Sequence, residues 1–211
     1  MRKIIASLDI GTNTIKLIVG EFIKNRLNIL CTSEIPSKGI KKGLVYRPDE
    51  LIPVLKEAFH KAEEILGIPV KEVVLSIPAY YTEAEMSEGS STITNEDHVV
   101  TYQDLIRAMH AASYNKIGED EELISILPTV YKVDNEIVKN PINMIGNKIS
   151  LKAVLITAPK SSVTEFLRVL ENIGVKVIDV VTSSLGDYAT NRFKDSGSKI
   201  GAIINIGEET T

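Results

Sequence analysis

The run "KIIASLDI", Lys3 to Ile10, carries Asp9 at its end, turns within Gly11, Thr12 and Asn13, and resumes as an apolar run from Thr14 to Phe22. A third β-rich run, Arg26 to Ile35, follows the short turn "KNR". Runs joined by connections this short are constrained to pair as an antiparallel meander. The N-terminus is therefore committed to a sheet whose first strand delivers a carboxylate to its own end.

Helices and strands then alternate. Leu51, Leu55, Ala58, Ala62, Ile65 and Leu66 recur at helical spacing in a segment that opens on Pro48 and Asp49 and closes on Gly67. Pro53 is expected near the first turn, where a missing N–H costs least. "KEVVLSIP", Lys71 to Pro78, reads as a short strand apolar on both faces, as a central strand is. From Ala79 to Asp97 the chain turns polar and loses aliphatic periodicity. Thr101 to Asp104 resembles a capping box opening a helix with Leu105, Ile106, Met109 and Ala112 on one face. Two extended runs follow, Leu123 to Val133 and Lys148 to Ala158, joined by a connector punctuated with Pro and Gly. Residues 80–157 thus read as a small inserted β-α-β-β unit. Beyond it, Ser162 to Glu165 is a capping box, and Gly174 stops the helix behind it. "VKVIDVV" is a strand, "SSLGDYATNRF" a helix and "KIGAIINIG" a last strand. The order implies an α/β fold with a partly parallel sheet.

Bulk properties exclude several classes. The net charge of −4 creates no global field for nucleic acid or anionic lipid. Cys31 is the single cysteine, so there is no internal disulfide and no cysteine-cluster zinc site. The three histidines are scattered and supply no metal-binding pattern. No run approaches the roughly 18–20 apolar residues of a membrane span, and the N-terminus lacks the features of a signal peptide. A cytoplasmic location is the expectation. Tyr80 and Tyr81 read as part of a junction rather than a stacking platform, because no basic patch surrounds them. The acidic run Glu119 to Glu122 reads as a solvated turn, and Lys38, Lys41 and Lys42 as an exposed loop cluster.

Two stretches carry chemistry. In "DIGTNTIKLIVGE" the main-chain N–H groups of Gly11, Thr12 and Asn13 can converge on an anion, with donors added by Thr12, Asn13 and Thr14. Gly11 permits the close approach such a turn needs. Lys16 returns toward the turn if the second strand pairs antiparallel, where it would neutralise phosphate charge while Asp9 holds a hydrated Mg²⁺. On this short motif alone, a plain polar hairpin is the simpler reading. The second stretch, "NIGEETT", is another strand-turn-threonine element, with Asn205, Gly207, Thr210 and Thr211 in corresponding places. Glu208 and Glu209 depart from the glycine expected there. Each would repel a phosphate charge by ~1 kcal/mol in a water-like dielectric, and more where water is excluded.

Taken with "GIKKGLV", "ILPTVYKVDNE", "NPINMIG" and "VLENIGVKVIDVVTSSLGDYA", these stretches resemble the actin-like ATPase superfamily and, within it, the bacterial cell-division FtsA family. Asn143 stands where glycine is common in that pattern. The resemblance implies an actin-like (ribonuclease H-like) lobe I, subdomain IA, from residues 1–79 and 158–198. It further implies an inserted subdomain IC at 80–157 for protein contacts, and the truncated first strand of lobe II, IIA, at 199–211. Asp9, Gly11, Thr12, Asn13, Thr14 and Lys16 would belong to the first phosphate loop. Asn205, Gly207, Thr210 and Thr211 would belong to the second, with Asp9 on the metal and no catalytic residue assigned.

The implied function is a scaffold of the divisome at the cytoplasmic face of the membrane. In full length it would bind ATP and Mg²⁺, turn ATP over weakly at most, and self-associate into filaments. It would tether FtsZ through a missing half, reach the membrane through a missing C-terminal helix, and recruit later division proteins through residues 80–157. The chain then reads as an N-terminal portion, expected to be inactive and to hold no nucleotide alone. The alternatives are a pilus-assembly adaptor of the same fold, which binds a pilus-protein peptide, and a small-molecule kinase. A kinase needs a base carboxylate. Asp179 and Asp187 are the internal candidates after the insertion, and each reads more simply as a strand-edge or helix-face charge.

Overall fold

The computed structural model describes residues 3–24, 26–191 and 202–210. The chain divides into two compact units, residues 1–81 with 161–211, and residues 82–160.

The first unit is built on a five-stranded sheet. Strands β1 (Lys3–Ile10), β2 (Thr14–Ile23) and β3 (Arg26–Pro36) form the expected antiparallel meander. A two-residue-strand hairpin follows, β4 (Ile40–Lys41) and β5 (Leu44–Val45). Helix α1 (Pro48–Leu66) then leads to β6 (Glu72–Ile77), which pairs parallel with β1. After the second unit, α3 (Lys160–Asn172) leads to β11 (Lys176–Thr182), parallel to β6, and to α4 (Ser183–Thr190). The sheet order is β11-β6-β1-β2-β3.

Alternation decides which face is core. Leu8, Ile15, Leu17, Val73 and Leu75 are fully buried on one face, and Leu51, Leu55, Ala58 and Ala62 of α1 are equally inaccessible. Burying each leucine, isoleucine or valine of this set stabilises by roughly 1.5–3 kcal/mol. Helix α1 begins at Pro48, where a missing N–H is harmless, and ends on Gly67 in the left-handed region at φ 68°. Pro53 does not lie in the first turn. It is the sixth helical residue, so the second turn forgoes one N–H donor, a cost offset by the buried leucines around it.

The second unit is a four-stranded antiparallel sheet, ordered β7-β10-β8-β9, with one helix. Its strands are β7 (Glu83–Thr92), β8 (Glu121–Val133), the short β9 (Glu136–Val138) and β10 (Lys148–Pro159), and its helix is α2 (Tyr102–Ser113). Ile93, Val100, Ala108, Ala112, Val133, Ile149, Leu151 and Ala153 make its core. The polar texture of 79–97 conceals a ten-residue strand: β7 is at the sheet edge, and only Ser87 on it is buried. Edge strands rich in charge are tolerated because that charge discourages further pairing. Gly89 explains how α2 comes so near. A Cβ there would sit 2.1 Å from the Ala108 carbonyl oxygen.

Local signals were partly right. Thr101 caps α2 as expected, with Asp104 returning the bond to the Thr101 N–H at 2.8 Å. Ser162 does not cap α3, because the helix already begins at Lys160, and Glu165 pairs with Arg168 at 2.9 Å instead. The acidic run is more than a solvated turn. Glu121 accepts from the Gly118 N–H at 2.9 Å and from the Thr157 hydroxyl at 3.1 Å. The expected helix to Phe193 closes at Thr190. Residues 202–206 of the expected last strand form no ladder; an apolar run becomes a strand only when a neighbour satisfies its main chain.

Candidate functional site

The five-stranded sheet ends in an open cavity of about 670 Å³, lined entirely by the first unit. Asp9 reaches it because the first turn starts where β1 stops. The Gly11 N–H donates to the Thr14 carbonyl at 3.0 Å, and a Cβ on Gly11 would come within 3.0 Å of that oxygen. The Ser37 N–H ties the turn down from the other side, donating to the Asn13 carbonyl at 2.8 Å.

The second turn repeats the pattern. The Gly207 N–H donates to the Thr210 carbonyl at 2.9 Å, and a Cβ on Gly207 would meet that oxygen at 2.9 Å. Each turn thus runs glycine, two polar residues, threonine, closed by the same main-chain bond.

Asp9, Gly11, Thr12, Asn13, Thr14, Lys16, Asn205, Gly207 and Thr210 all line the one cavity. Thr211, the remaining expected residue, lies outside the described residues. The two glutamates behave differently. Glu208 is on the cavity wall, whereas Glu209 accepts from the Lys42 N–H at 2.5 Å.

The electrostatics centre on Asp9. Burial pushes its carboxyl above the ordinary value and the nearby Asp187 adds to this, while the Ser76 hydroxyl bond and Lys16 act the other way. A desolvated carboxylate beside a second one is stabilised by a cation. The donor set fits the groups expected here: hydroxyls of Thr12, Thr14 and Thr210 and the Lys16 ammonium suit phosphate oxygens, and Asp9 suits a hydrated divalent ion.

Several lining residues were missed or discounted. Asp187 is no mere helix-face charge: it lines the cavity and accepts from the Asn205 side-chain amide at 2.8 Å. Ser183 and Ser184 stand beside it at the start of α4. The helical spacing of Ser183, Ser184 and Asp187 was the available signal, since positions three and four apart share a face. Tyr80 is on the wall as well, its ring edge-on to Tyr81 at 4.7 Å between centroids. The hairpin residue Gly43 completes this side. Asp179 is outside the cavity lining and accepts from its neighbour, the Val180 N–H, at 2.9 Å. Among the described residues no cluster of three His, Cys, Asp or Glu side chains has the arrangement of a metal site. No described helix is long and apolar enough to cross a membrane.

Comparison with known proteins gives this architecture its relatives. A family model described as the SHS2 domain inserted in FtsA matches residues 79–157. The cell division protein FtsA of Bacillus subtilis is 29% identical over 206 residues, which is 97% of this chain and 47% of that protein. The Enterococcus hirae FtsA is 32% identical over 199 residues, 93% of this chain and 45% of that protein. The chain therefore spans about half the length of the curated relatives it matches. Among solved structures, a chain of the PilM–PilN type IV pilus biogenesis complex shares the fold, with a TM-score of 0.61 over 88% of this chain and 49% of that one, at 14% identity. The chain is thus similar over nearly its whole length to FtsA cell division proteins, and within its actin-like α/β fold residues 79–157 match the SHS2 domain inserted in that family.

Proposed function

We propose that this chain supplies one wall of a nucleotide clamp in a cell-division scaffold. The observation that carries the reading is the pair of matched turns, Gly11 to Thr14 and Gly207 to Thr210, facing one cavity with Asp9 and Lys16. In the full-length protein, ATP phosphates lie between the two turns, and Asp9 holds the accompanying Mg²⁺ through water. Asp9, Gly11, Thr12, Asn13, Thr14, Lys16, Asn205, Gly207, Thr210 and Thr211 are the proposed binding residues. No residue is assigned to chemistry on the nucleotide, in keeping with weak turnover at most.

Similarity to cell division proteins supports the scaffold role. Full-length protein self-associates, tethers FtsZ to the inner face of the membrane at the septum, and recruits later division proteins through residues 80–157. The proposed division of labour is lobe I from 1–79 and 158–198, the contact subdomain from 80–157, and the start of lobe II from 199–211. The test is a pull-down from full-length protein with an FtsZ C-terminal peptide, beside one in which residues 80–157 are exchanged for an unrelated fold. FtsZ capture is expected to survive the exchange and recruitment of late division proteins to be lost. Unchanged recruitment refutes the role given to 80–157, and failure to capture FtsZ refutes the tether. A second reading, an adaptor for a pilus-protein peptide, has the shared fold of the PilM chain behind it. A parallel pull-down with such a peptide separates the two.

A further inference from the structure

The β4–β5 hairpin touches both turns of the cavity. Its ladder pairs Ile40 with Val45 and Lys41 with Leu44, leaving Lys42 and Gly43 as a two-residue turn. Both lie in the left-handed region, at φ 48° and 73°, as a hairpin turn that follows the strand twist requires. Their N–H groups are outside the ladder and have found partners elsewhere. The Gly43 N–H donates to the Thr12 hydroxyl in the first turn at 3.1 Å. The Lys42 N–H donates to the Glu209 carboxylate in the second turn at 2.5 Å.

The hairpin is held close to the cavity from its base. The Gly39 carbonyl accepts from the Tyr46 N–H at 2.8 Å and the Arg47 N–H at 2.9 Å. A Cβ on Gly43 would meet the Pro78 ring at 2.8 Å, so the tip approaches the wall as no other residue could. Successive N–H groups in a turn of this kind form a concavity for an anion. Here the two N–H groups are divided: Lys42 donates to a carboxylate of the same chain at charge-assisted distance, and Gly43 to the Thr12 hydroxyl.

We propose that the Lys42 main-chain N–H, next in the chain to the cavity-lining Gly43, is an anion donor beside the cavity and that Glu209 is its built-in competitor. A polyphosphate engages the hairpin only by displacing the Glu209 carboxylate, and that displacement frees the second turn from the hairpin. The glutamate found where a glycine was expected is then a latch rather than a defect. The inference rests on the reading of the cavity as a phosphate site, while the latch itself is measurable without any ligand.

The test uses the full 211-residue chain with E209A, E209Q and, as a control for charge alone, E208Q, because Glu208 lines the cavity but makes no bond to Lys42. Amide exchange without ligand reports the latch. Exchange at Lys42 is expected to speed up about tenfold in E209A, less in E209Q, and not at all in E208Q. Magnesium pyrophosphate, titrated while the amide signals of Lys42 and Gly43 are followed, reports the competition. E209A is expected to bind it about five- to tenfold more tightly than wild type, with E209Q between them. Unaltered Lys42 exchange in E209A overturns the latch. Faster exchange without tighter pyrophosphate binding overturns the competition. An E208Q gain equal to that of E209A overturns it in favour of net charge. Absence of pyrophosphate binding in every variant refutes the phosphate reading of the cavity and with it the competition, while Lys42 exchange still decides whether the latch exists.

Discussion

Asp9 and Lys16 face each other directly across the β1–β2 pair, seven residues apart in sequence and adjacent in the sheet. The Lys16 charge favours the ionised form of a carboxyl that burial and Asp187 work to neutralise. One cation against two carboxylates leaves room for another, which is the electrostatic basis for placing a hydrated Mg²⁺ here.

That balance is testable with the metal alone. Thermal melts with and without about 10 mM Mg²⁺ are expected to show a rise of about 1 °C or more for wild type, because an ion that binds only the folded state stabilises it. D9N removes the carboxylate at nearly constant shape and is expected to abolish the rise. An equal rise in both proteins would mean that the ion acts elsewhere.

ATP itself is expected to bind the 211-residue chain weakly. The cavity offers phosphate donors, but among the described residues Tyr80 is the single aromatic on its wall, and Glu208 adds like charge. Calorimetry is expected to give no dissociation constant tighter than about 10 µM, equivalent to about 7 kcal/mol. Tighter binding would show that these walls suffice as a clamp.

Asp104 is the most buried carboxylate among the described residues, at 1% exposure, and anchors the second unit. Burial opposes its charge, yet the hydroxyl and main-chain N–H of Thr101, together with Arg107, outweigh it and hold the carboxyl below the ordinary value. A carboxyl depressed on folding contributes stability above its unfolded value, lost as pH falls through the folded one. D104A is expected to cost about 1–2 kcal/mol at pH 7, the loss of a helix cap. The gap between wild type and D104N is expected to narrow progressively below pH 3.8 in denaturant titrations. A gap constant with pH would sink the account.

Gly89 lets β7 and α2 approach to a distance that excludes any side chain. G89A is expected to destabilise the second unit by about 2–3 kcal/mol, the scale of an overpacked core. Circular dichroism melts of the full chain would register it as a lower first transition. An unshifted melt would mean that α2 rides outward without cost.

Residue patterns alone carried the architecture a long way. Period-two alternation with short turns determined β1 to β3, and helical spacing bounded by Pro48 and Gly67 determined α1, because these signals are local and their physics is steric. The first turn and its Asp9–Lys16 pairing were legible for the same reason: an antiparallel register follows from the turn. What only the tertiary structure decided depends on partners distant in sequence. Strand β7 is polar on both faces and exists because β10 satisfies its main chain. Ala202, Ile203, Ile204 and Ile206 are apolar, yet residues 202–206 form no strand, because no neighbour does the same for them. Asp187 became a site residue when the fold carried Asn205 to it across eighteen positions, and Glu209 found the Lys42 N–H across 167. A sequence displays the donors and acceptors a chain possesses. Which of them meet is settled by a global minimum that satisfies every buried polar group together.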